Sequence, residues 1–284
     1  MPNYSVPCAL SILLGFGCAA DPDDEPLGTA TQEVVAANGT SLNGTSLNGT
    51  SLNGTSLNGT SLTGVSVSNT LLKGVQGTTV KSGTALVGAI FQATTSSGAT
   101  IPLRIDGVHA LAAPNADVLV YAISYQTSSG WKALCAGANE AIPFPGTWNM
   151  VTVRHQGDAN LFTLGCRGAT FAKCYELGYK GDSKLDTYHQ TCIRALRADY
   201  CGDGTSRTVN GTLINIYDNL GLQADTQAWP IESNWTPDGA TCINKARVIS
   251  LTAPDVPECV KVKAAVSCST TWGSAIMRTE ISTP

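Results

Sequence analysis

The chain has 284 residues, 43% of them hydrophobic, 13% charged and 6% aromatic, with a formal net charge of -4. That length and apolar fraction suffice for one substantial core plus a smaller module, and they exclude wholesale disorder. Residues 1–34 carry Asp21, Asp23, Asp24, Glu25 and Glu33 and no Lys or Arg, leaving 17 basic against 16 acidic residues in the other 250. So neutral a body has no basic stripe for phosphates, which excludes sequence-independent nucleic-acid binding.

The chain begins with an apolar run, Cys8 to Cys18, far too short to cross a bilayer and about the length of an export-signal core. Ala19-Ala20 and the acidic Asp-Pro-Asp-Asp-Glu-Pro that follows mark where a mature, solvated terminus would start. No Lys or Arg precedes the run. Gly17-Cys18 resembles a bacterial lipobox, which makes Cys18 the lipidation candidate. Plain cleavage after Ala20 is the alternative, and a buried N-terminal helix the third. The expected organisation is a signal peptide over 1–20, of lipoprotein type if Cys18 is modified, then an acidic linker over 21–34.

From Val35 the sequence advances in fives, with four identical Thr-Ser-Leu-Asn-Gly units starting at Thr40, Thr45, Thr50 and Thr55, and degenerate units running to Gly74. Leu42, Leu47, Leu52, Leu57, Leu62, Val67 and Leu72 hold the centres. Residues 35–76 thereby resemble the pentapeptide-repeat family, whose units coil four to a turn into a right-handed β-helix. Such a coil would stack the central Leu inward at about 4.8 Å per layer and turn on Asn-Gly. A Gly, Ser, Thr and Asn-rich tract also suits a flexible spacer, and two coils fall short of the usual solenoid minimum. The Asn-Gly-Thr sequons read as turns, not glycan acceptors.

Residues 77–165 read as mostly β, with strands expected over Ala85–Phe91, Val118–Ser124, Trp131–Leu134 and Met150–Val153. Pro143-Phe144-Pro145-Gly146 reads as turn punctuation. Within 166–284, helical spacing predicts one helix near Thr170–Leu177, stopped by Gly178. A second starts at a Ser183 cap and ends before Gly202, with Leu185, Tyr188, Cys192, Ala195 and Leu196 on one face and Arg194 and Arg197 toward the other. Short strands and loops fill the remainder. The expected fold class is α+β: a disulfide-stapled domain preceded by a short right-handed β-helix.

Eight cysteines follow the leader: Cys135, Cys166, Cys174, Cys192, Cys201, Cys242, Cys259 and Cys268. An even count in an exported chain implies a disulfide framework whose connectivity spacing alone leaves open. Metal binding would want close Cys pairs, and no Cys-x-x-Cys occurs. Cys192 and Cys201, about 13 Å apart if on one helix, cannot bridge each other.

Ala198-Asp199-Tyr200-Cys201, running on through Gly202-Asp203-Gly204 to Asn210-Gly211-Thr212-Leu213-Ile214, resembles the signature of the ADYC-domain family. Gly165-Cys166-Arg167-Gly168, Ala172-Lys173-Cys174 and Glu176-Leu177-Gly178-Tyr179 resemble its other shared blocks, as do Trp131 with Cys135, and Ile142-Pro143 with Gly146 and Trp148. The resemblance covers roughly residues 100–282. It implies an exported or lipid-anchored protein of myxobacterial type, often preceded by such Asn-Gly-Thr repeats, and it brings no assigned activity.

Candidates for chemistry are few. Asp199, Asp203 and Asp218 could together hold Ca²⁺ near a Gly-rich turn, although the spacing is not that of an EF-hand; the alternative is that they fix turns through backbone N–H groups. His189, one turn from Asp186 and beside Cys192, could serve acid–base or thiol chemistry, the alternative being an ordinary surface or half-buried helix histidine. Nucleophile elbow, zincin and P-loop motifs are absent from the sequence. Five Trp could make a sugar-binding face if clustered and exposed, or could be core. The leading expectation is a non-enzymatic cell-envelope or secreted module with a carbohydrate or protein ligand, without cofactor, touching the membrane only through a lipid on Cys18. A secreted hydrolase using an unrecognised carboxylate or His site is the alternative. A surface protein self-associating through the repeat is the third.

Overall fold

The computed structural model describes residues 35–38, 62–94, 100–149, 151–156, 161–181, 185–209 and 211–282. Among them the chain is mostly β, with three short α-helices and four disulfides. The leader, Cys18, the acidic linker and the four identical repeat units lie outside the described residues.

An antiparallel sheet is built from β5 (Ile90–Thr94), β6 (Thr100–Ala110), β7 (Leu119–Thr127), β9 (Ala141–Pro145) and β12 (Phe162–Cys166) in the order β12-β9-β7-β6-β5, with β8 (Gly130–Ala133) hairpinned onto β7. A second sheet has the order β1-β13-β16-β14-β15, from β1 (Val35–Asn38), β13 (Thr212–Asp218), β16 (Met277–Ile281), β14 (Ile231–Thr236) and β15 (Gly239–Ile243). The second sheet follows the alternation of apolar and polar residues, whereas the central strands of the first bury both faces. On β13, Ile214 and Ile216 face the core while Asn215 and Tyr217 point to the other side, and Met277 and Thr279 on β16 alternate with Arg278 and Glu280. A short hairpin, β10 (Thr147–Asn149) and β11 (Arg154–Gln156), stands beside the first sheet.

Helix α2 (Asp186–Leu196) covers the inner face of the second sheet, α1 (Thr170–Glu176) packs on α2 and on β12 of the first, and α3 (Glu258–Ala264) lies against β15. The core is shared: Phe144 and Trp148 from the β9–β10 region meet Phe171 and Tyr175 of α1, Ile193 and Leu196 of α2, and Ile214, Trp235 and Met277 of the second sheet. A second core lies under the other face of the first sheet, where Leu103, Ile105, Tyr121 and Ile123 meet Leu62, Leu72 and Leu86.

The last repeat units depart from the expected coil. Instead of parallel stacking, β2 (Thr63–Ser68), β3 (Leu71–Gln76) and β4 (Thr79–Ser82) form an antiparallel meander. Asn69, at φ 53, and Thr70 turn the chain back on itself, so Val67 pairs with Leu72 across a hairpin. Leu62 and Leu72 bury their side chains in the second core, leaving no open solenoid end here.

Three strand expectations are corrected. Residues 83–86 form a 3-10 turn before β5, and residues 151–153 are a turn with Val153 at φ 53. Pro143-Phe144-Pro145 lies inside strand β9. Two residues apart, the prolines turn both ring nitrogens toward β7, where the ladder holds only the Tyr121–Ala141 pair, so no sheet hydrogen bond is lost.

The cysteines pair as Cys135–Cys166, Cys174–Cys192, Cys201–Cys259 and Cys242–Cys268, with Cα–Cα distances of 5.2 to 5.8 Å. They tie the β8 side of the first sheet to β12, α1 to α2, the end of α2 to α3, and β15 to the approach of β16. The Cys201–Cys259 bridge spans 58 residues, a loop whose closure removes about 4 kcal/mol of unfolded-chain entropy.

Candidate functional site

The loop after α2 contains the residues with most potential for chemistry, and it begins where the helix must stop. Ala198 turns left-handed at φ 49, which leaves the last helical carbonyls needing donors. Arg247 supplies them, donating to Leu196 O at 2.9 Å and Ala195 O at 2.7 Å, while two of its nitrogens donate to the Glu232 carboxylate at 2.8 Å. Neither side chain of this pair is exposed. The Tyr200 hydroxyl donates to Glu232 at 2.6 Å, and its ring stacks on Trp235 with centroids 5.3 Å apart. Burial, reinforced by the Glu232 charge, holds the Tyr200 hydroxyl well above its usual range, so it remains protonated.

Asp199 is fully buried beside Arg194, which donates to its Oδ2 and is itself fully buried. The carboxylate also accepts from Asp203 N at 3.1 Å and Gly204 N at 2.9 Å. Burial pushes its carboxyl upward, and the Arg194 guanidinium and Gly204 N–H oppose that shift. Asp203 sits further out. Partial burial raises its carboxyl, but hydrogen bonds from Arg207 and Thr205 outweigh that and hold it down to about 2. Cys201 is taken up by its disulfide to Cys259. The two sulfurs and the Asp203 carboxylate lie close together, but bridged sulfurs are not thiolate ligands.

Asp218 stands elsewhere, at the end of β13, with four donors on its carboxylate: Tyr179 hydroxyl at 2.9 Å, Leu220 N at 2.7 Å, Leu222 N at 3.2 Å and Gln223 N at 2.7 Å. It organises the turn after β13 and anchors the segment after α1. Among the described residues Asp199, Asp203 and Asp218 do not gather at coordination spacing, so the structure does not bring together the three expected Ca²⁺ ligands.

His189 is not on the surface, as a half-polar helix suggests, but fully buried. The cause is tertiary: α1, β9 and the β10–β11 hairpin enclose the imidazole among Phe171 and Tyr175, Phe144, and Trp148, at centroid distances of 5.6 to 6.5 Å. Its Nε2 lies 3.0 Å from Phe171 O. Burial lowers its pKa to about 4 despite the Phe171 carbonyl and the Asp186 charge. Arg194, expected toward the polar face, is buried as well, between Thr152 O, Pro237 O and the Asp199 carboxylate.

The sequence gives no hint of His155, 34 residues before His189 in a three-residue strand. It packs 4.4 Å from the Trp148 ring, with Nδ1 2.7 Å from Asp186 Oδ1 and Nε2 3.3 Å from Pro145 O. Its backbone N–H donates to Gln190 of α2 at 2.8 Å. Gly146, at φ +79, makes room: a Cβ there would collide with the His155 ring. Two histidines thus flank one carboxylate in the first turn of α2.

The tryptophans do not share one exposed face. Trp148 and Trp235 are core, whereas Trp131 lies under the Arg104 guanidinium at 4.6 Å and Trp272 under Arg278 at 4.4 Å. The other sequence blocks also resolve into contacts. Arg167 bridges Glu140 and Glu176, Cys174 bonds Cys192, and Gly165 abuts the Phe144 ring where a Cβ would overlap it.

Compared with known proteins, residues 83–249, more than half of the chain, match the family model of the ADYC domain, and residues 38–75 match that of pentapeptide repeats in 8 copies. Neither the curated proteins nor the solved structures contain a match to the chain.

Proposed function

Because the chain belongs to the ADYC domain family and carries pentapeptide repeats ahead of the domain, we propose that it is an exported, non-enzymatic binding or structural module presented beyond the repeat segment. One observation carries this reading: the polar groups of the family signature are engaged inside the protein. Asp199 holds Arg194 and two backbone N–H groups, Tyr200 holds Glu232, and Cys201 is bridged to Cys259. A catalytic acid or nucleophile needs a face open to substrate and a partner that primes it. These residues have neither, and they join the end of α2 to β14, β15 and α3.

Four disulfides support the export reading, since such bridges persist in oxidising compartments and hold together domains displayed outside the cell. No helix among the described residues is long and apolar enough to cross a membrane. Attachment to the envelope would come through a lipid on Cys18, and with plain cleavage after Ala20 the chain would be released. Its ligand would be a carbohydrate or protein of the envelope or exterior.

Fractionating a bacterial host that expresses the full chain, with metabolic labelling by a clickable fatty acid, tests the address. Recovery from the envelope or medium with all cysteines bridged is expected, and reduced protein in the cytoplasm would contradict it. Panels of polysaccharides and peptides should show saturable binding without turnover. Turnover that disappears in a folded Asp199→Asn or Asp203→Asn protein would overturn the non-enzymatic reading.

A further inference from the structure

We infer that the edge of β13 is a docking site for one repeat unit, and that its best-matched occupant is a Thr-Ser-Leu-Asn unit of a second copy of this chain. The edge is covered by β1, which pairs Val35 with Asn215, Ala36 with Ile214, Ala37 with Leu213 and Asn38 with Thr212. Those four residues, with Gly39, are the first unit of the five-residue repeat. The sheet thus already accepts a repeat unit as an added strand, and main-chain pairing of that kind is open to any unit of the same length. Side chains decide which unit matches best.

The first unit leaves two positions on the outer face of β13 incomplete. Leu213 is 51% exposed, with Ala37 opposite it. Asn215 is fully buried, and its Nδ2 donates to Glu280 Oε2 on β16 and to Asp225 Oδ1, both at 2.9 Å. That directs Oδ1 away from β16, and β1 lies on the other side of β13. Oδ1 has no hydrogen-bond partner among the described residues, and the residue opposite, Val35, carries no side-chain donor. In the same register an exact unit sets Thr, of the same shape as Val, opposite Asn215, and Leu opposite Leu213, while Ser replaces Ala36 and Asn is retained. Opposed side chains lie within contact distance, so the threonine hydroxyl meets the unpaired oxygen and the leucine covers Leu213. Together the two gains favour the exact unit by about tenfold.

The chain carries four exact units, starting at Thr40, Thr45, Thr50 and Thr55, yet its own edge takes the poorer first unit. Sliding an exact unit into place would shorten the connection to Leu62, whose N–H is fastened to Ile90 O at 2.7 Å. A unit arriving from a second copy is free of that restraint. Residues 39–61 reach at most about 80 Å, far enough to meet an edge on a neighbouring copy. The inference does not rest on the ligand-binding role proposed above, because it concerns the chain with itself.

The test is sedimentation velocity of the full-length protein, disulfides intact, from micromolar to near-millimolar concentration. Reversible association is expected. Leu213→Lys, at a half-exposed position, should weaken it about tenfold while circular dichroism stays unchanged. Val35→Thr combined with Ala37→Leu gives the chain's own strand the side chains of an exact unit at both outer positions, and should also suppress association about tenfold. A protein that stays monomeric throughout would overturn the inference. So would association indifferent to Leu213→Lys, which would place the contact between the repeats themselves, or association undiminished by the own-strand substitutions.

Discussion

Replacing Asp199 by alanine removes the acceptor on which the end of α2 is fastened. Arg194 is left as a buried guanidinium without its counter-charge, and Asp203 N and Gly204 N lose their acceptor. Arg194 retains only carbonyl partners, Thr152 O at 2.7 Å and Pro237 O at 3.2 Å. Removing one partner of a buried ion pair costs about 3 to 5 kcal/mol. In a body of this size that lowers the melting temperature by roughly 10 °C. Urea unfolding with disulfides intact, followed by Trp fluorescence, measures the loss. The double variant Arg194→Met with Asp199→Ala should recover much of it, because the stranded charge goes with the arginine. A loss below about 1 kcal/mol in the single variant would refute the reasoning, as would a double variant no better than the single one.

Two further predictions follow from neighbouring residues. Burial lowers the His189 pKa to about 4 from its usual 6.5. Between those values the unfolded chain binds the proton and the folded one does not, so stability is full above pH 6.5 and falls by about 3 kcal/mol as pH drops toward 4. A His189→Gln variant, if folded, should lose that part of the acid sensitivity, and an unchanged pH profile would contradict it. Gly204, at φ +87, lies where a Cβ would overlap the Val151 carbonyl oxygen. Gly204→Ala should therefore destabilise by 2 kcal/mol or more, to order of magnitude, and wild-type stability would show that the loop can move aside.

Much of this architecture is legible in the amino acids because its signals are local. Thr170–Leu177 announces itself by apolar spacing and the Gly178 stop, and the second helix by apolar spacing; they lie at Thr170–Glu176 and Asp186–Leu196, the second ending at left-handed Ala198 well before Gly202, while its expected Ser183 cap lies outside the described residues. The even cysteine count likewise anticipates a fully bridged framework, although the partners depend on tertiary approach. Strand β9 escapes notice because its prolines read as breakers until the missing β7 ladder is known. The burial of His189 and the approach of His155 also lie beyond local pattern: both follow from the β10–β11 hairpin closing over α2. The signature itself names the important residues. Their tasks emerge only when Arg247 arrives from 47 positions beyond Tyr200 to cap the helix and Lys263 donates to Tyr200 O at 2.5 Å.

The central claim is that the signature locks a disulfide-stapled body, and peptide mapping of the non-reduced full-length protein from an oxidising compartment tests it most directly. The account predicts Cys135–Cys166, Cys174–Cys192, Cys201–Cys259 and Cys242–Cys268, with no alkylatable thiol among these eight. Free thiols at Cys201 and Cys259, or a different pairing of either, would contradict it and return those sulfurs and Asp203 to consideration as a reactive or metal-binding centre.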